Sequence, residues 1–112
     1  MEEFKVINFE INFNKKLLCD RFIIIDDLSS LKNFNVNDKI NIKIREQHFC
    51  FSVIEKKETK SLEEIIKQNL HIFDRGLSDK EYIKLWDDKL NKRLTILYLL
   101  KTTQLKLFED EN

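Results

Sequence analysis

The feature that most constrains this chain is the alternation over Lys39 to Arg45. Ile40, Ile42 and Ile44 point one way along an extended backbone, while Asn41, Lys43 and Arg45 point the other. A period of two with apolar residues on one side is a strand with one buried face, so the chain must build a sheet. His48 to Ile54 follows as the expected partner strand, with Phe49, Phe51 and Val53 on one face and Glu46-Gln47 as the hairpin tip. Phe4 to Phe9 and Leu17 to Ile25 read as earlier strands, the second ending at the turn signal Asp26-Asp27. Glu10 to Lys15 has room for little beyond a helical turn. Leu28, Leu31 and Phe34 have the spacing of another, and Asn35-Val36-Asn37-Asp38 is a tight turn.

The second half changes period. Ser61-Leu62-Glu63-Glu64 and Ser78-Asp79-Lys80-Glu81 both have the Ser-x-x-Glu spacing of a capping box, which marks a helix start. Behind the first, Leu62, Ile65, Ile66, Leu70 and Phe73 form one apolar stripe. It ends near Gly76, the only glycine, where a helix C-terminus favours positive φ. Leu77 and Tyr82 can staple the second start, and Tyr82, Leu85, Trp86 and Leu90 continue a second stripe. Leu94 to Leu100 is a closing strand that can resume at Leu105 to Phe108. Short strands with two helices predict an α+β domain over residues 1–108, a small, mostly antiparallel β-barrel with two helices packed outside, followed by an acidic tail at 109–112.

Composition excludes several function classes. Lys plus Arg and Asp plus Glu are each 20, so there is no bulk charge to coat nucleic acid or an anionic membrane, although a local basic patch remains open. No apolar run approaches the roughly 18–20 residues that span a bilayer. Met1-Glu2-Glu3 begins no signal-peptide pattern, so an intracellular, cytoplasmic protein without a membrane partner is expected. Cys19 and Cys50 do not make a disulfide framework and are expected as free, buried thiols. With one glycine there is no phosphate-cradling loop, and no Cys-x-x-Cys or His-x-x-x-His spacing exists, so neither a cofactor nor a metal is expected. His48 and His71 are isolated and read as structural.

One segment concentrates reactive groups: Asn14-Lys15-Lys16-Leu17-Leu18-Cys19-Asp20-Arg21. On a strand from Leu17, the side chains of Leu17, Cys19 and Arg21 share a face, and Lys16 stands at the entrance. The plain reading is a solvated basic turn; the functional one is two cations and a thiol converging on one site.

This segment resembles the ASCH family of small domains with a PUA-like β-barrel. Members carry Gly-x-Lys-x-x-(Glu or Thr)-x-Arg at the start of the second strand, and this chain has Asn14, Lys16, Cys19 and Arg21 at the fixed positions. A Gly-Asp turn before an alternating strand corresponds to Asn37-Asp38-Lys39-Ile40. The charged strand end leading to a capped helix corresponds to Ser52 through Ser61, and the helix with a central aromatic to Leu77 through Trp86. The likeness spans roughly residues 4 to 103 in order and spacing. Asn14 and Asn37 replace glycines, which Asn tolerates best among other residues, so positive φ is expected at one or both. Cys19 replaces a Glu or Thr, a change in chemistry.

The resemblance implies an RNA-related function. The leading reading is a domain that binds RNA or a nucleotide in a cleft around Lys15, Lys16 and Arg21. The alternative is a small amidohydrolase acting on an acylated nucleoside such as acetylcytidine, for which the resemblance carries the catalytic set to Lys16, Cys19 and Asp74. A thiol beside a Lys ammonium can be a nucleophile. A third reading is a protein-interaction module that uses its exposed helices.

Overall fold

The computed structural model describes residues 4–10 and 13–102, with the side chains of residues 13–15 outside that description. The elements are β1 (Lys5–Phe9), a 3-10 turn (Phe13–Leu18), β2 (Arg21–Asp27), α1 (Leu28–Leu31), β3 (Lys39–Ile44), β4 (Gln47–Ser61), α2 (Leu62–Lys67), α3 (Leu70–Arg75), α4 (Asp79–Leu85) and β5 (Arg93–Thr102). The five strands form one sheet in the order β1-β3-β4-β5-β2. β1 runs parallel to β3, and every other pairing is antiparallel. The result is a small α+β domain with a curled, mostly antiparallel half-barrel. The expected barrel does not close: among the described residues no ladder joins β1 to β2, the two outer strands. The expected Leu105 to Phe108 strand and the acidic tail lie outside the described residues.

The alternation in β3 does its expected work, with Ile40 and Ile42 fully buried. They belong to one core cluster with Leu17, Phe22, Ile24, Ile54, Leu97 and Leu99 on the concave side. A second cluster, on the other face of β2 and β5, packs Ile23, Ile25, Leu94 and Ile96 against Leu62, Ile65 and Tyr82 of the helices. On β4 the core side is taken by Cys50, Ser52 and Ile54. Phe51 and Val53 face away. Phe49 departs from the face expected for it, because the β3–β4 register shifts beside it and it packs on the first cluster.

Three local expectations are corrected, and positive φ at Asn14 or Asn37 is met at Asn37. The strand predicted from Leu17 begins only at Arg21; Phe13–Leu18 form a 3-10 turn instead, which buries Lys16 and Leu17. Leu17, Cys19 and Arg21 therefore share no strand face, and Cys19 is exposed in the bend before β2. Asn14 lies within the right-handed 3-10 turn and has no glycine-like role, whereas Asn37 has φ of 76° at the third position of the Asn35–Asp38 turn. The hairpin tip is Arg45-Glu46, one residue early, with φ of 50° and 68°. These are the two positive values of a type I′ turn, adopted without Asn or Gly. Bonds from β1 hold it: Arg45 N donates to Phe9 O at 2.7 Å and Glu46 N to Asn8 Oδ1 at 2.8 Å.

Both capping boxes form, with Ser61 Oγ accepting from Glu64 N and Ser78 Oγ from Glu81 N. The first stripe is broken into two helices by Asn69, which sits at φ 58°, and α3 ends at Gly76 with φ 68°. The two expected helices are thus three, besides the one-turn α1. The second stripe stops early: α4 ends at Leu85, and both Leu85 and Leu90 are exposed. The charged stretch Glu55 to Lys60 continues β4 against β5, past a register shift between Ile54 and Lys56.

Candidate functional site

The 3-10 turn and α3 meet over β2. Lys16 is 5% exposed, and its Nζ donates to Ile23 O at 2.9 Å and to Asp74 Oδ1 at 2.7 Å. The ammonium also lies 5.3 Å from the centre of the Phe9 ring. Asp74, 2% exposed, receives the Tyr82 hydroxyl on Oδ2 at 2.9 Å, and Arg75 Nε lies 3.6 Å from the same oxygen. The break at Asn69 makes this possible, since it turns α3 so that His71 and Asp74, one helical turn apart, both point inward.

Burial pushes the Lys16 pKa below its ordinary 10.5, with Asp74 opposing the shift. Tyr82 moves the other way: burial, and then the adjacent Asp74 carboxylate, raise its phenol far above the ordinary range. Tyr82 is a fixed donor, and Asp74 is held by Lys16, Tyr82 and Arg75.

A cavity of about 250 Å³ opens beside Lys16. Phe22, Ile23, Phe73, Tyr98 and Leu99 form its apolar wall, and Lys16, Cys19, Arg21 and Glu55 supply the polar groups. Phe73 is 63% exposed. Arg21 Nε lies 3.1 Å from Glu55 Oε1, and Glu55 is the residue at the β4 register shift, so the bulge aims a carboxylate at the rim. Tyr98 donates to Glu58 Oε2 at 2.8 Å, and burial raises its pKa to about 12. A second cavity, about 330 Å³, lies on the far side of the ion pair and is lined by Lys16, Asp74, Arg75, Glu10 and Asp26.

The structure therefore brings Lys16, Cys19 and Arg21 to one cavity and places Asp74 directly behind Lys16. The side chain of Lys15 lies outside the described residues. Sequence reasoning missed Tyr82 as the partner of Asp74, having assigned it to a staple and to an apolar stripe. It also missed Phe73, Tyr98 and Glu55 as walls and rim. Eight residues separate Asp74 from Tyr82, and nothing in that spacing advertises the bond. Among the described residues no group of three or more His, Cys, Asp or Glu could hold a metal ion, and no helix is long and apolar enough to cross a membrane. Comparison with family models, curated proteins and solved structures finds no match to this chain.

Proposed function

We propose that this chain is a PUA-like domain of the ASCH type that binds one base or nucleotide of an RNA in the cavity beside Lys16. The supporting observation is a small cavity, about 250 Å³, with aromatic walls and a single buried ammonium whose charge is already met by Asp74. That volume lies just below the usual range of ligand pockets, which limits the ligand to about one nucleoside. Two Lys16 donors serve Ile23 and Asp74; the third is assigned to a carbonyl on the ligand. Phe73 offers a face for stacking. Arg21, at the rim and mostly exposed, is placed to exchange Glu55 for a phosphate. Titrating the protein with nucleosides and nucleoside monophosphates tests this. Binding should fall at least tenfold in Phe73→Ala and in Lys16→Ala, and Arg21→Ala should weaken the monophosphates only. Equal affinity in all three variants rejects the cavity.

The amidohydrolase reading is favoured by one observation: Cys19 is exposed and lines the cavity that Lys16 lines, with Asp74 holding Lys16. In that reaction the Cys19 thiolate bonds to the acyl carbon, the C–N bond breaks, and the amine leaves with a proton from Lys16. Water then hydrolyses the thioester. Incubation with acylated nucleosides distinguishes the readings. Cys19→Ser should abolish turnover of a hydrolase and leave a binding domain unchanged.

A further inference from the structure

Among the described residues lining the cavity beside Lys16, Glu55 is the one carboxylate. It stands there because of an irregularity in the sheet. The β4–β5 register pairs Ile54 with Leu99 and Lys56 with Tyr98, so Glu55 is an extra residue with no opposite number in β5. Leu99 and Tyr98, the residues across from it, are walls of the same cavity. A β-bulge re-aims a side chain, and this one turns a carboxylate to the cavity rim.

The polar groups of the cavity differ in how firmly they are held. Lys16 is buried and bonded to Ile23 O and Asp74. Tyr98 donates its hydroxyl proton to Glu58 Oε2, and Glu58 Oε1 lies 2.8 Å from Lys56 Nζ. The Cys19 thiol is only a weak acceptor. Glu55, by contrast, is exposed, and so is its partner Arg21, whose Nε lies 3.1 Å from Glu55 Oε1. An ion pair in water is worth little, so these two groups can change partners readily.

A nucleotide seated with its base against Lys16 brings its sugar and phosphate to that rim. When Arg21 turns to the phosphate, Glu55 is left beside a second negative charge. A ligand relieves this contact if it supplies hydrogen-bond donors of its own. The vicinal 2′- and 3′-hydroxyls of a ribose are two donors close enough to serve one carboxylate, whereas a deoxyribose offers one.

We propose that Glu55 reads the sugar: its carboxylate accepts from the 2′- and 3′-hydroxyls of the bound nucleotide, so the cavity takes ribonucleotides in preference to deoxyribonucleotides. This rests on the cavity reading and adds to it the class of sugar. Phosphate and diol act together, because the phosphate draws Arg21 away and frees Glu55 for the ribose.

Calorimetric titration of the full chain with nucleoside 5′-monophosphates, in matched ribo and 2′-deoxy pairs, tests the assignment. Each ribonucleotide should bind about tenfold more tightly than its deoxy counterpart. The ratio should be smaller for the corresponding nucleosides, which have no phosphate to draw Arg21 off. Glu55→Ala should bring the monophosphate ratio to about one, chiefly by weakening the ribonucleotide. Glu55→Gln keeps one carbonyl acceptor and should fall between. The ratio compares two ligands on one protein, so a change in stability does not imitate the effect. A ratio near one in the unaltered protein, or a ratio that survives in Glu55→Ala, overturns the proposal. If both members of a pair bind alike and Phe73→Ala abolishes both, the cavity stands and the sugar reading alone falls. If no nucleotide binds, the cavity reading falls and the sugar reading falls with it.

Discussion

Lys16 Nζ and Asp74 Oδ1 lie 2.7 Å apart although 58 residues separate them in the chain. Both side chains are almost wholly out of solvent. Removing either partner strands a charge in the interior, which costs about 3–5 kcal/mol. Lys16→Met and Asp74→Asn should each lower stability on that scale in urea unfolding. The double variant Lys16→Met/Asp74→Asn should lose clearly less than the sum. Additive losses would show that the two groups do not form a unit.

Asp38 contributes to the acid limb. Lys5 Nζ donates to its Oδ2 at 2.6 Å and Asn35 N donates to the same oxygen at 2.7 Å. Those bonds, the Lys5 contact first, hold its pKa below the ordinary 3.8. The folded state thus binds its proton less readily than the unfolded chain. The contribution of Asp38 to stability is present above the ordinary value and lost as pH falls through the folded one. Thermal melts of Asp38→Asn should show a lower melting temperature near neutrality and a shallower decline through the acid range than the unaltered chain.

Asn37 occupies the left-handed region at φ 76°. Asn37→Gly should be neutral or mildly stabilising, and Asn37→Val should cost about 1 kcal/mol or more. Equal melting temperatures of the two variants would remove the backbone argument.

Glu46 has φ of 68° in a tip that prefers glycine at this position. Glu46→Gly should raise stability by about 1 kcal/mol, since the backbone bond from residue 46 to Asn8 needs no side chain. A lower unfolding midpoint would mean that the Glu46 side chain itself supports the turn.

Features with local causes are legible in the sequence. A capping box needs only four residues, and both form where their spacing marks them, at Ser61 and Ser78. The buried pair Ile40 and Ile42 follows from alternation alone. Features set by distant groups are not legible. Asn69 turns left-handed so that His71 and Asp74 can reach the interior, while its neighbours continue an apolar stripe that reads as one helix. Arg45 and Glu46 carry no turn signature, and their shape is imposed by β1, some 35 residues earlier in the chain. The 3-10 turn at Lys16 is hidden by the strand-forming composition that follows it. At the site, Lys16, Cys19 and Arg21 stand out as a cluster of charges and a thiol, Asp74 comes only from the resemblance, and Tyr82, Phe73 and Glu55 have no local mark.

β4 is 15 residues long, and β5, its partner, is 10. β5 passes through both apolar clusters, with Leu97 and Leu99 in the first and Leu94 and Ile96 in the second, while β4 gives Ile54 to the first and pairs its Lys60 and Glu58 with Leu94 and Ile96. Melting either cluster alone would cut this shared ladder, so the domain should open as one cooperative unit. Amide protons along the middle of β5 should exchange only through global opening, at rates that converge on a single free energy whichever cluster they adjoin. Stabilising the helical side by a ligand in the cavity should therefore slow exchange on the opposite face as well.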